Sequence, residues 1–273
     1  MDLDGARVVV TGGSSGIGEM TARLFAQRGS EVVLLARSAE ALDRIVEEIR
    51  AAGGRAHAYP VDLADLDQVA LVTARILAEL GPVDVLVNNA GAGRWLAIEE
   101  TDPHEALAMT MVPYLGAFAM TRGLIEPMLA RRRGMVINIT SPAALTPFPG
   151  AVAYSVARGA MLHFTRALQA DLHGTGVRAA TVMPSEVDSP YFDHNPGSRQ
   201  RIPGISRLVG TVGTQDVAEA IVRVAERDSR GATLPWQLSA IRALHAVAPS
   251  VVTALSRTTG WKRPEQPATK ARA

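Results

Sequence analysis

Along most of the chain, short aliphatic and β-branched runs alternate with amphipathic stretches. RVVVT (7–11), EVVLLA (31–36), AHAYPVD (56–62), VDVLVN (83–88), GMVINIT (134–140) and VRAATVM (177–183) are near-continuous apolar runs of strand length. Between them, residues 17–28, 39–52, 66–80, 103–132, 152–173 and 215–229 carry helical periodicity, with Asp102-Pro103 and Thr214 as helix starts. Strands that are apolar on both faces and separated by helices belong to a parallel sheet covered on both sides. The pattern predicts an α/β fold, a doubly wound parallel sheet of the Rossmann type, as one domain over residues 1–235. No period of 20 to 50 residues recurs, which excludes solenoids and propellers.

Two segments break the rhythm. Asp188 to Gly210 holds three prolines and three glycines among mixed aromatics, and reads either as a substrate lid or as a disordered loop. From Trp236 onward, apolar residues recur at Leu238, Ile241, Leu244 and Val247, then after Pro249 at Val251, Val252 and Leu255. That spacing predicts an amphipathic helical extension over 236–259, serving as core or subunit packing, as a cover over the site, or as a membrane-surface helix. Residues 260–273 read as a disordered basic tail.

Composition narrows the function. The 273 residues are 47% hydrophobic and only 4% aromatic, with 24 glycines, as expected for strands and helices joined by tight turns. Twenty-eight basic residues against 27 acidic ones give a net charge of +1, and no basic stripe with interleaved aromatics suits nucleic acid. Cysteine is absent and the six histidines are scattered, so no metal site is expected. MDLDGARVVV has neither the basic start nor the apolar run of a signal peptide, and no uncharged apolar segment reaches a membrane-spanning length of about 18 residues, so a cytoplasmic location is expected.

The first strand runs into TGGSSGIGEM and then a helix, with glycines at 12, 13, 16 and 18. In that context glycines permit a tight turn and close approach of backbone to a pyrophosphate, which the helix N-terminus attracts. The second strand ends in LLARS, placing Arg37 where a dinucleotide site has an acidic residue for the ribose of NAD, or arginine for the 2′-phosphate of NADP. Arg37 favours NADP(H) as the cofactor; its plain alternative is a charge on a solvated loop. In AYSVARGAM, Tyr154 and Arg158 stand four residues apart, so a helix brings a proton donor and a cation to one face.

These residues resemble the short-chain dehydrogenase/reductase family. TGGSSGIG is similar to its Thr-Gly-x-x-x-Gly-x-Gly loop, covering Gly12, Ser14, Ser15, Gly16, Ile17 and Gly18; VDL at 61–63 resembles its adenine segment, and NNAG at 88–91 its fourth-strand motif. Ser141 precedes Tyr154 by thirteen residues, the family's spacing for its catalytic serine and tyrosine. The resemblance spans roughly residues 5–230. It implies hydride transfer between a nicotinamide and a carbonyl or alcohol. Ser141 would bind the substrate oxygen, Tyr154 would exchange the proton, and Arg158 would hold the nicotinamide ribose, making Tyr154 and Arg158 cofactor contacts too. Asp62 and Leu63 would meet the adenine, Asn89, Ala90 and Gly91 would line the cofactor, and Pro184, Val187 and Ser189 would close the nicotinamide side.

The sequence departs from the family pattern at three positions. Arg158 replaces lysine, Pro113 stands where a catalytic asparagine is usual, and Ser185 follows Pro184 in place of glycine. Arginine supplies the same positive field as lysine but releases no proton and needs more room. Residues 1–261 contain no lysine, so a general preference for arginine also accounts for position 158. Pro113 predicts a helix kink that frees a backbone carbonyl. The expected function is an NADPH-dependent oxidoreductase for a hydrophobic carbonyl compound, a carbonyl reductase or alcohol dehydrogenase. The alternative is an NADP-binding protein of this fold that is a dehydratase, an isomerase or a regulatory binder. The resemblance further implies a homodimer or homotetramer through the helices at 103–132 and 152–173, and peripheral membrane contact is a further, lesser reading.

Overall fold

The computed structural model describes residues 1–91 and 93–264. Seven parallel strands form the central sheet: β1 (Arg7–Thr11), β2 (Glu31–Ala36), β3 (Arg55–Pro60), β4 (Val85–Asn88), β5 (Gly134–Ile139), β6 (Val177–Pro184) and an edge strand at Gly231–Leu234, in the order β3-β2-β1-β4-β5-β6-edge. The helices between them are α1 (Gly16–Gln27), α2 (Ala39–Ala51), α3 (Leu66–Glu79), α4 (Pro103–Thr110), α5 (Gly116–Ala130), α6 (Val152–Asp171) and α7 (Thr214–Glu226).

The alternation of a strand explains why these runs are apolar throughout. Val8, Val10, Val32 and Leu34 point to one face, where Phe25 of α1, Ile45 of α2 and Ile221 of α7 meet them. Val9, Val33 and Leu35 point to the other, against Val72 of α3 and Met120 and Leu124 of α5. Local chemistry sets the helix starts. Asp65 accepts from the amides of Asp67 and Gln68 at the head of α3, and Asp102, followed by Pro103, accepts from His104 N at 2.8 Å at the head of α4.

Three expectations change. The single helix over 103–132 is broken: α4 ends at Thr110, a π turn runs over Met111–Leu115, and α5 begins at Gly116. Pro113 brings no N–H, and the widened turn, in which Gly116 N donates to Met111 O, absorbs the fault where a simple kink was expected. The edge strand Gly231–Leu234 and a parallel pair, β7 (Glu186–Asp188) with β8 (Thr211–Gly213), carry no apolar run long enough to be read; the edge strand is thus β9. The extension is two helices, α8 (Trp236–Val247) and α9 (Pro249–Thr259), parted at Ala248.

Within the 188–210 segment two short 3-10 turns form, and Arg201 bonds Glu100 Oε1 at 2.9 Å. Arg201 also stacks 4.4 Å from the ring centre of Trp261, so this segment and the C-terminal end meet. Of the tail expected at 260–273, residues 265–273 lie outside the described residues. Among the described residues no helix is long and apolar enough to cross a membrane, and no cluster of His, Asp and Glu is arranged to hold a metal ion.

Candidate active site

The carboxyl ends of β1, β4, β5 and β6 open into a cavity of about 980 Å³. It lies where β1 and β4 are neighbours and the chain's winding reverses, the place at which open α/β sheets bind ligands.

The glycine loop forms one wall. Gly12 and Gly16 have φ of +67° and +56°, and a Cβ on Gly12 would stand 3.0 Å from Ala90 Cα. Ser15, at the head of α1, makes no side-chain cap, so the free amides of the helix N-terminus and their partial positive charge face the cavity. Thr11 Oγ1 accepts from Asn89 N and Ala90 N at 3.0 and 3.1 Å, and Asn89 Nδ2 donates to Thr11 O at 3.1 Å. This staple joins the ends of β1 and β4 and shapes the loop from behind.

Ser14, Ser15, Gly16, Ile17, Arg37, Asp62, Leu63, Asn89, Ala90, Gly91, Pro184, Val187 and Ser189 all border the cavity, with Gly12 beside them. Gly18 does not. It is buried, and a Cβ there would sit 2.1 Å from Gly12 O, so its part is to let α1 pack on the loop. Gly13 is likewise turned away, against Leu34. Arg37 is exposed at the rim and enters no ion pair among the described residues.

Ser141 leaves β5 at the head of a short 3-10 turn, and its Oγ accepts from Ala143 N at 3.3 Å. Tyr154 and Arg158 share a face of α6, with Arg158 Cζ 5.1 Å from the Tyr154 ring centre. All three border the cavity. Arg158 is only 8% exposed yet has no carboxylate partner among the described residues. Gly91 makes its room: a Cβ there would lie 2.5 Å from Arg158 Nη2. Pro113 itself is buried off the cavity, while its neighbour Val112 borders it. Ser185 Oγ donates to Gly210 O at 2.9 Å, tying the strand end to the far end of the 188–210 segment.

Several wall residues lie outside the motifs, some of them in the segments that the sequence offers as a lid, 188–210, and as a cover over the site, 236–259. Trp95 is tilted against Tyr154 and Phe148 with ring centres at 5.1 and 5.5 Å, and its backbone N donates to Ser198 Oγ at 2.9 Å. Tyr191 donates its hydroxyl to Gly93 O at 2.6 Å, and burial together with the adjacent Tyr154 pushes its phenol well above the ordinary range. An aromatic four residues beyond NNAG was the one available hint for Trp95. Leu238, Ile241, Arg242 and His245 of α8, with Val252 and Ser256 of α9, complete the wall opposite.

The donor set fits a nicotinamide dinucleotide: an uncapped helix N-terminus, a cradle that side chains would fill, an exposed arginine at the cavity rim and a buried arginine beside Tyr154 that has no carboxylate partner among the described residues. Residues 6–198 match the family described as short chain dehydrogenase. The chain is 37% identical over 189 residues to a short chain dehydrogenase of Pseudocercospora fijiensis, a match covering 68% of this chain and 61% of that protein, so less than two thirds of that relative is spanned. It is similar to the crystal structure of a metagenomic short-chain oxidoreductase in complex with NADP, with a TM-score of 0.72, 30% identity, and coverage of 86% of this chain and 97% of the other. A Burkholderia phymatum structure solved with NAD shares the fold, with a TM-score of 0.81 at 24% identity over 98% and 99% of the two chains.

Proposed function

The chain belongs to the short-chain dehydrogenase family, an oxidoreductase family, and from that premise we propose that it transfers a hydride between NADP(H) and a carbonyl or alcohol of a hydrophobic small molecule. The observation that carries this reading is the meeting of Ser141, Tyr154 and Arg158 at the one cavity that the glycine loop also lines.

Bound NADPH would supply the hydride. Ser14, Ser15 and the N-terminus of α1 would receive its pyrophosphate, Arg37 its 2′-phosphate, and Asp62 and Leu63 its adenine. The Tyr154 hydroxyl delivers a proton to the substrate oxygen in reduction and removes it in oxidation. Ser141 Oγ, engaged only with one backbone amide, donates its own hydrogen to that same oxygen. Arg158 places a fixed positive charge beside Tyr154 and stabilises negative charge on the phenol oxygen. It stays protonated, so protons reach Tyr154 by another route than position 158.

Trp95, Phe148 and Tyr191 pack around Tyr154 and keep water from the reacting atoms. Their apolar surface, continued by Leu145, Leu238 and Ile241, supports a hydrophobic substrate. Exposed Phe118 and Val156, on α5 and α6, support self-association through those helices.

Titration of the purified protein with NADPH and NADH, followed by single-turnover oxidation of bound NADPH with apolar ketones and enones, tests the reading. Binding that favours NADPH, with ketone-dependent oxidation, supports it. Binding without oxidation over the whole panel favours the dehydratase or isomerase reading, for which the altered positions 113 and 158 are the motive.

A further inference from the structure

The substrate half of the cavity is apolar but not uniformly so. On α8 the cavity-facing positions are 238, 241, 242 and 245, an i, i+3, i+4, i+7 stripe along one helix face. Leu238, 3% exposed, packs with Leu162, Met183 and Val209 and fixes the helix to the body of the domain. The next positions along the stripe are Arg242 and His245.

Apart from Asp62, which lies with Arg37 beyond the ends of β2 and β3, and the exposed His194 of the 188–210 segment, the titratable groups around the cavity leave these two on one helix face. The carboxylates of Glu105 and Glu186 are each matched, by Arg94 at 2.7 Å and Arg199 at 3.8 Å. Arg158 is committed to Tyr154, and Arg37 lies at the adenosine end. Arg242 enters no ion pair among the described residues, and its hydrogen bond is one from Nη1 to Thr233 Oγ1 at 3.1 Å, so most of its fork is free. His245 Nδ1 lies 3.2 Å from Thr146 Oγ1, leaving Nε2 free. On α9, Ser256 is 2% exposed, its Oγ has no partner, and it borders the same cavity. An unpartnered buried hydroxyl is a group that awaits one.

Resting on the oxidoreductase reading, we propose that the substrate is an apolar carbonyl compound ending in a carboxylate, received by Arg242 and His245. The chain of the substrate lies along Leu238 and Ile241, and its carbonyl reaches Ser141 and Tyr154. A planar guanidinium with free donors matches a carboxylate in two bonds. Because Arg242 is exposed, the anion keeps part of its hydration and desolvation does not cancel the gain.

The test is calorimetric titration of the protein, with and without saturating NADPH, using dodecanoate and its methyl ester, in the wild type and in Arg242→Ala, Arg242→Lys and Arg242→Glu. The acid is expected to bind about tenfold tighter than the ester. Arg242→Ala should bring the two within about twofold, Arg242→Lys should keep part of the preference, and Arg242→Glu should reverse it, all with NADPH affinity unchanged. Equal binding of acid and ester in the wild type overturns the proposal. So does a loss of NADPH affinity in Arg242→Ala that matches the loss for the acid, which would give Arg242 to the cofactor. Reduction of 2-undecanone and of its acid counterpart, 10-oxoundecanoate, separates the two readings: turnover of the neutral ketone without any acid preference sinks the carboxylate site alone, and acid preference with neither compound reduced sinks hydride transfer alone.

Discussion

Arg158→Met removes one positive charge while keeping an unbranched apolar chain of similar length. In the wild type the guanidinium carbon stands 5.1 Å from the Tyr154 ring centre in a largely buried setting. Taking that separation and an effective dielectric of about 20, the charge is worth about 3 kcal/mol to a developing phenolate. Lost from the transition state, it lowers kcat/KM by roughly a hundredfold. The same substitution acts in the opposite direction on stability. Arg158 has no carboxylate partner among the described residues, so the folded chain bears the cost of holding it out of water. Replacing it by methionine should raise the unfolding free energy of the cofactor-free protein by about 1 kcal/mol or more. Arg158→Lys keeps the charge and should retain kcat/KM within about tenfold. The assays are single-turnover oxidation of NADPH and urea unfolding at pH 7. Activity of Arg158→Met within threefold of the wild type would refute the electrostatic role. Activity and stability falling together would show that the residue is a structural brace.

Four further outcomes follow from other parts of the site. Gly91→Ala places a methyl 2.5 Å from Arg158 Nη2, a flexible side-chain end that yields, so cofactor affinity should drop about tenfold or more while stability stays within about 1 kcal/mol, and adding Arg158→Lys should recover part of the loss in a titration with NADPH. Gly18→Ala meets backbone instead, 2.1 Å from Gly12 O, and should cost about 2 to 3 kcal/mol in urea unfolding as well as cofactor binding. Arg37→Asp should move the ratio of NADPH to NADH affinity at least about tenfold toward NADH, measured by the same titrations. The Glu100 carboxyl is held down to about 2 by its hydrogen bonds from Arg201 and from Ala97 N. A folded-state pKa below the ordinary glutamate value of about 4.3 means that the pair stabilises the fold above that pH and loses its effect as pH falls toward 2. Glu100→Gln should therefore lower Tm at pH 7, and the gap to the wild type should close near pH 2.

The sheet was legible because its strands are buried on both faces. Six of its seven strands end within a few residues of the apolar runs that predict them, since each of Val8 to Val10 and Val32 to Leu35 must meet a helix on one side or the other. The seventh, β9, is four residues at the sheet edge, none of them fully buried, and its glycine start reads as a turn. Local spacing likewise singles out the glycine loop, Ser141, Tyr154 and Arg158, which meet at the cavity, because each stands out by neighbours a few residues away or by the end of one strand. For the same reason Gly18 is grouped with the loop in sequence, although it does not border the cavity. A motif groups glycines by sequence, while their tasks divide by side: Gly16 borders the cavity, and Gly18 turns its bare side to Gly12 O at the back of the loop.

What the sequence leaves open between alternatives is the wall built by residues 188–210, α8 and α9, and the cause is the kind of bond that builds it. The cofactor half is set by strand ends whose register is fixed by backbone hydrogen bonds, from Val10 beside Val87 to Asn88 beside Asn138. The opposite wall is held by side chains from distant segments: Arg201 binds Glu100 across 101 positions, Trp95 N meets Ser198, and Ile205 N meets Thr259 Oγ1 at 3.2 Å. None of these pairings leaves a period in the sequence. The same spacing in α8 that predicts a buried stripe serves equally for a core, a subunit contact or a cavity wall, and only the placement of Leu238 over Met183 decides among them. Such a wall is free to change without disturbing the glycine loop, because α8 and α9 pack chiefly on each other, on β9 and on the 3-10 turn at Gly204–Leu208, none of which carries that loop. Substitutions on α8 and α9 should therefore alter which carbonyl compound is accepted while leaving NADPH affinity in place, and substitutions at Gly12, Gly18 or Asn89 should do the reverse.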